Sequence, residues 1–145
     1  MRRDDQVFQP PPPPPNMVDR LANPWSSVEE EQWFHDGTEC FDSGKFWHAH
    51  EAWEDLWNAL KRRSAPPEEI RLVQGLIQTA ALLFHYERRN TNGVLKQWEK
   101  LEPKLHGWDT AWGIDIASHL QSLAGYHRDA GQWTLVAADH QLPRA

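Results

Sequence analysis

From Ser26 onward, apolar residues recur along this chain at the three-to-four-residue spacing of helices, with polar faces between them. Ser26-x-x-Glu29 and Ser27-x-x-Glu30 each offer a capping box ahead of Trp33, Phe34, Gly37 and Phe41, which predicts a first helix that Ser43-Gly44 ends. A second helix is expected over 45–63, where Lys61, Arg62 and Arg63 complement the negative end of its dipole. That position accounts for the basic triplet better than a nucleic-acid patch does. Ser64-Ala65-Pro66-Pro67 makes the connection, and Glu68 and Glu69 acidify the first turn of a third helix reaching Arg89, with Asn90 as its left-handed C-cap. So short a turn implies antiparallel neighbours. A fourth helix over 91–105 carries Val94, Leu95, Trp98 and Leu101, with Pro103 in its last turn. After the loop Gly107-Trp108-Asp109, a fifth runs over 116–126. No alternating strand pattern competes, so the reading is an all-α, compact bundle of about five helices built from antiparallel hairpins.

The expected organisation is a disordered proline-rich tail over 1–24, a helical domain over 25–128, and a loosely structured end over 129–145 held by Trp133. Within the first hairpin, Trp33-x3-Gly37 and Ala49-x3-Trp53 match the intervals of a tetratricopeptide unit, which the hairpin resembles. The resemblance covers one unit: Cys40 replaces an aromatic, Lys61 stands where the closing Pro would, and Pro67 and Arg71 stand where Trp and Gly would recur.

Composition narrows the function classes. The chain has 145 residues, enough for one domain that buries about two thirds of its unfolded surface. Fifteen Lys plus Arg against twenty-one Asp plus Glu leave a net charge of −6, which argues against a phosphate-backbone binder. Cys40 is the single cysteine, so no intramolecular disulfide forms, and a reducing, cytoplasmic setting is expected. No apolar run approaches a membrane span, and Met1-Arg2-Arg3-Asp4-Asp5 lacks the apolar core of a signal peptide. Pro10 to Pro15 form a polyproline segment reaching about 19 Å at ~3.1 Å per residue. It reads as a solvated spacer or as the ligand of a proline-binding partner, unless translation starts at Met17 and omits it.

The remaining chemistry lies in one polar stripe. On the second helix Phe46, Ala49, Trp53, Leu56, Trp57 and Leu60 share an apolar arc, while His48, Glu51, Asp55 and Asn58 face away. His50 falls inside the arc and Glu54 at its edge. The third helix is apolar nearly all round from Leu72 to Tyr86, apart from Gln74, Gln78 and His85, which share a stripe about 40° wide beside Ala81. Polar groups on a buried helix need partners. Pairing the two helices antiparallel sets Trp57 near Gln74, Glu54 near Gln78 and His50 opposite Ala81, with His85 about 5–6 Å further along the axis. The expectation is an internal site holding His50, His85, Glu54, Gln74 and Gln78, walled by Trp53, Trp57 and Trp47.

His50, Glu54 and Trp57 fit the pattern HxxxExxW. Together with Phe46-Trp47-His48-Ala49-His50-Glu51, Gln74-Gly75-Leu76-Ile77-Gln78 and His85…Asn90, this stretch resembles the bacterial and archaeal family called domain of unknown function 309, over roughly 30–120. The resemblance implies a small all-helical fold and a metal-binding role for the His/Glu motif, with no reaction attached.

Two imidazoles and a carboxylate suit an open zinc site or an iron facial triad, so His50, Glu54 and His85 are the candidate ligands of one divalent ion, Zn, Fe or Mn, with Gln78 orienting a water. A metal-dependent hydrolase is the corresponding function. The helix motif HExxH fails, since Glu54 stands in the second His position, and the Glu-x-x-His repeats of di-iron bundles are missing. Glu31/His35, Glu102/His106 and Asp115/His119 share the four-residue spacing and read as solvated helix pairs, leaving His50 and His85 as the shielded histidines. Against the metal stands a closed structural network, in which neutral His50 bonds to Glu54 and Gln78 completes the set within a non-catalytic interaction module or homo-oligomer. A metal-free acid/base pair or small-ligand site is the third reading. Trp108 and Trp112, flanking a loop, are candidates to rim a pocket, and Cys40 reads as a small core residue.

Overall fold

The Ser27 hydroxyl accepts a hydrogen bond from the Glu30 amide at 3.1 Å and starts α1 (Val28–Asp42). Glu30 reaches back to the Ser26 amide and hydroxyl, both at 3.0 Å. The computed structural model describes residues 25–145; the polyproline run and the alternative start at Met17 lie outside the described residues. Helices α2 (Phe46–Arg62), α3 (Pro67–Glu87), α4 (Thr91–Leu105) and α5 (Ile116–Asp129) follow in order. The protein is an all-α bundle in which α3 packs against both α2 and α4, and its Leu72, Val73, Leu76, Ala80, Leu82 and Leu83 are fully buried.

The turns repeat one device. After α1, α2 and α3, a residue in left-handed conformation lets its own amide and the following one bond back to the last turn, a Schellman arrangement. Gly44 takes that position first (φ 76°), then Ser64 (φ 55°) and Arg89 (φ 54°). Arg89, not Asn90, therefore closes α3. Asn90 has φ −97° and serves as the N-cap of α4, its side-chain oxygen accepting from the Gly93 amide at 3.0 Å. The connection is so short that the residue after Arg89 already begins the next helix, and a capping Asn is more useful there.

Between α4 and α5 lies an antiparallel pair of two-residue strands, β1 (Thr110–Ala111) and β2 (Ile114–Asp115). Two residues per strand carry no detectable alternation, which is why the sequence pattern did not announce them.

Residues 129–145, expected to be a loosely structured end, are tied at several points. Tyr126 donates its hydroxyl proton to the Val136 carbonyl at 3.0 Å. The Asp129 carboxylate accepts from the Thr134 amide (2.7 Å), the Thr134 hydroxyl (2.6 Å) and Tyr86. Burial and the Asp129 bond push the Tyr86 phenol up to about 12. A 3-10 turn (Ala137–Asp139) buries Ala137, Leu142 is buried beyond it, and Arg144 forms a bridge to Ile114. Asp42, at the end of α1, accepts from the Leu142 amide at 2.8 Å and pairs with Arg144 at 2.6 Å.

Candidate functional site

The Schellman turn at Ser64 folds α3 back along α2, so that residues four apart on each helix face one another. Between them opens a cavity of about 190 Å³, lined by His50, Glu54 and Trp57 from α2, Gln74, Ile77, Gln78 and Ala81 from α3, and Gln97 and Lys100 from α4. Apart from Ile77, the α2 and α3 residues are those that antiparallel pairing juxtaposes. Gln97 and Lys100 were missed. They sit three residues apart on an amphipathic helix, where a Gln and a Lys read as an ordinary solvated face.

Three polar atoms in this wall are buried without a hydrogen-bond partner: His50 Nδ1, Trp57 Nε1 and Gln78 Oε1. Each lost hydrogen bond costs about 1–3 kcal/mol in a buried setting, so three side by side mark an incomplete network. The closed His50–Glu54–Gln78 arrangement that would make the stripe purely structural does not form through these atoms. Glu54 is exposed at the cavity's mouth and His50 is half-buried.

Aromatic rings fix the wall. Trp47, 46% exposed, lies flat on the His50 imidazole, with ring centroids 4.8 Å apart and planes 9° apart, and leans on Phe84 at 5.1 Å. Lys61 holds its ammonium 3.3 Å from the centre of a Trp57 ring, so part of the basic triplet is spent on a cation–π contact. Trp53 is fully buried and does not line the cavity. Its indole N–H donates to the Phe34 carbonyl of α1 at 3.3 Å, which anchors α2 from behind.

His85 lies outside the cavity lining. Its Nδ1 accepts from the Asn90 side-chain amide at 3.2 Å, and its ring covers Gly93, where an added Cβ would come within 2.4 Å of Cγ. Burial, followed by the charge of Arg88, lowers its pKa. The structure thus brings His50 and Glu54 together with both glutamines and Trp57, and holds His85 at the α3–α4 turn. Among the described residues, no group of three or more His, Cys, Asp or Glu side chains is gathered to hold a metal ion.

The histidine sequence reasoning misplaced is His119. Expected to pair with Asp115 in solvent, it is fully buried, with Nε2 3.0 Å from the Thr79 hydroxyl and Nδ1 2.9 Å from His140 Nε2. Asp115 instead caps α5, accepting from the Ser118 amide at 3.0 Å. The other two pairs, Glu31/His35 and Glu102/His106, are on the surface at 3.8 and 3.3 Å. Trp108 is buried, and Trp112 packs on Trp25 and Phe34, so neither rims the cavity. Cys40 packs against the core, and burial pushes its thiol up.

Residues 34–97 match the family model described as Domain of unknown function (DUF309). Over this span the chain resembles that family. The matched span includes every cavity-lining residue except Lys100. No curated protein and no solved structure gives a significant match. Among the described residues, no helix is long and apolar enough to cross a membrane.

Proposed function

We propose that the cavity between α2, α3 and α4 binds a small polar ligand, with His50 and Glu54 as the groups that exchange protons with it or hold it. The observation that carries this reading is the trio of buried atoms without partners on the cavity wall. Their chemistry restricts the guest. Trp57 Nε1–H only donates, so the guest presents an acceptor; Gln78 Oε1 only accepts, so it also presents a donor. At the mouth, Glu54 and Lys100 supply one charge of each sign, which suits a zwitterionic or amide-bearing molecule. A cavity of about 190 Å³ has room for such a molecule, or for about six waters at ~30 Å³ each. An indole N–H cannot ligate a cation, so a bare metal ion would leave Trp57 unsatisfied. Metal held by His50 and Glu54, with His85 brought in, is the competing reading, and a structural network within an interaction module or homo-oligomer is another.

Gln78→Leu separates these readings through the sign of its effect. At a binding site the empty protein carries the cost of an unpaired amide oxygen, so the variant is expected to be more stable in urea by about 1 kcal/mol. In a closed structural network the same change destabilises. Native mass spectrometry of the untagged protein, with metal analysis after zinc, iron or manganese loading, completes the test. A low-mass guest on the wild type, lost in His50→Ala, is expected. Stoichiometric metal that disappears in His50→Ala would replace the ligand reading with the metal one. Wild type without a guest, together with a destabilised Gln78→Leu, would overturn both.

A further inference from the structure

The geometry points to a pH-sensitive clasp, separate from the cavity: the His119–His140 pair holds the C-terminal segment against the bundle while both imidazoles are neutral, and releases it when both are protonated.

The hydrogen-bond directions follow from one fixed point. The Thr79 hydroxyl donates to the Leu76 carbonyl at 2.7 Å, so its oxygen is left to accept from His119 Nε2–H at 3.0 Å. Neutral His119 then has a bare Nδ1, which accepts from His140 Nε2–H at 2.9 Å. The chain runs from His140 through His119 and Thr79 to the backbone of α3, and each link needs the tautomer before it. The two imidazole planes are within 5° of each other, and Phe41 sets its edge against both, at 5.4 and 5.8 Å.

A proton on the outer nitrogen of His140 leaves this chain intact. A second proton, placed on His119 Nδ1 once His140 carries one, does not, because two N–H groups would then face each other in a site where His119 is fully buried. The groups around the pair do not rescue a second charge. Asp42, on α1, favours a charged His140 but already accepts from Leu142 and Arg144. Thr79 on α3 is neutral, as is Tyr126 on α5, whose proton goes to Val136. Asp139, next to His140 on the segment itself, is exposed. Burial lowers the pKa of both imidazoles, well below the usual value for His119, where the neighbouring His140 adds to the effect.

For a group whose folded pKa is lowered, the stabilisation is complete above the free value of about 6.5 and declines as pH falls below it. With the segment released, two histidines regain that free value. Opening therefore takes up between one and two protons, and its equilibrium constant is expected to rise roughly ten- to a hundredfold per pH unit below about 6.5. The segment carries His140, Ala137 and Leu142, so release bares the edge of the bundle around Phe41 and Tyr126.

NMR of the full chain between pH 7.5 and 4.5 tests the clasp. Ring nitrogen shifts should identify His119 as the Nε2–H tautomer, with no protonation of His119 while the amides of 137–145 keep their docked positions. Those amides should move to their released positions in one concerted step, before α1 to α4 lose theirs. In His140→Gln the amide still donates to His119 but does not titrate, so the step should move to lower pH and lose about half its steepness. The proposal is overturned if His119 titrates with the segment still docked, or if His140→Gln folds and releases its segment at the wild-type pH. His119→Gln, which keeps a donor for Thr79 and an acceptor for His140, supplies the same reading from the buried side.

Discussion

Gly37→Ala is expected to destabilise the protein by about 3 kcal/mol, although alanine is the better helix former by ~1 kcal/mol. The helical gain is outweighed because an added Cβ would come within 2.2 Å of Trp53 Cδ1 and Nε1. The indole has nowhere to go: it is fully buried, with Phe41 5.7 Å away, and its N–H is committed to the Phe34 carbonyl. Either the helices separate or the hydrogen bond is lost. Trp53→Ala should cost a similar ~3–5 kcal/mol by the opposite route, a cavity at the α1–α2 contact. Because both changes act on one contact, they should not add: Gly37→Ala combined with Trp53→Ala is expected to cost less than the sum of the two single costs, by more than ~1 kcal/mol. Urea unfolding monitored by far-UV circular dichroism measures all three. Additive costs would mean that Gly37 is not held open for the indole.

Arg63→Ala is expected to cost about 3 kcal/mol at pH 7, and the cost should shrink in acid. Arg63 grips Glu30 with two bonds, Nε to Oε2 at 2.8 Å and Nη2 to Oε1 at 3.0 Å, and the Glu30 side chain is only 5% exposed. Burial alone would raise the Glu30 pKa; Arg63, with help from Ser26, outweighs it and holds the carboxyl below its usual value. In the wild type this contribution is present above about pH 4.5 and is lost as pH falls through the lowered value. Without Arg63, burial makes the protonated form the favoured one, so the variant gains relative stability as pH drops. The difference between the two proteins should therefore be largest near neutrality and narrow below about pH 4.5. Arg63→Ala with Glu30→Gln should recover much of the loss, since no charge is then stranded. Chemical denaturation of the three variants at pH 7 and pH 4 checks this, and a cost independent of pH would show that packing, not charge, is what Arg63 contributes.

The pair also illustrates how far the linear pattern reaches. The capping box at Ser27 and Glu30 and the basic end of α2 were both legible, because each depends on residues within one helical turn. That Glu30 and Arg63 are one interaction was not, since it spans thirty-three residues and depends on how α1 lies along α2. The cavity divides the same way. His50, Glu54, Trp57, Gln74, Gln78 and Ala81 could be placed together from helical periodicity and one short turn, both properties of adjacent elements. Gln97 and Lys100 could not, because their helix reaches the cavity only through the packing of α4 on α3. His85 fails for a related reason. The periodicity sets it on the polar stripe, but the turn after it supplies nearer partners in Asn90 and Gly93.

His119 marks the boundary most sharply. A histidine four residues after an aspartate on an amphipathic helix looks the same whether its face meets solvent or a returning chain. Its burial is settled by Thr79, forty residues away, and by His140, twenty-one residues on, in a segment whose own sequence has no helical signal. What the sequence determined by itself is the all-α class, the positions of the helices and the hairpin that builds one wall of the cavity, because side-chain periodicity, capping and turn chemistry act over a few residues. The tertiary structure alone decided which polar groups are left unpaired around the cavity and which histidine is sealed from water, because burial is a property of every element packed against a group, and no stretch of sequence contains them all.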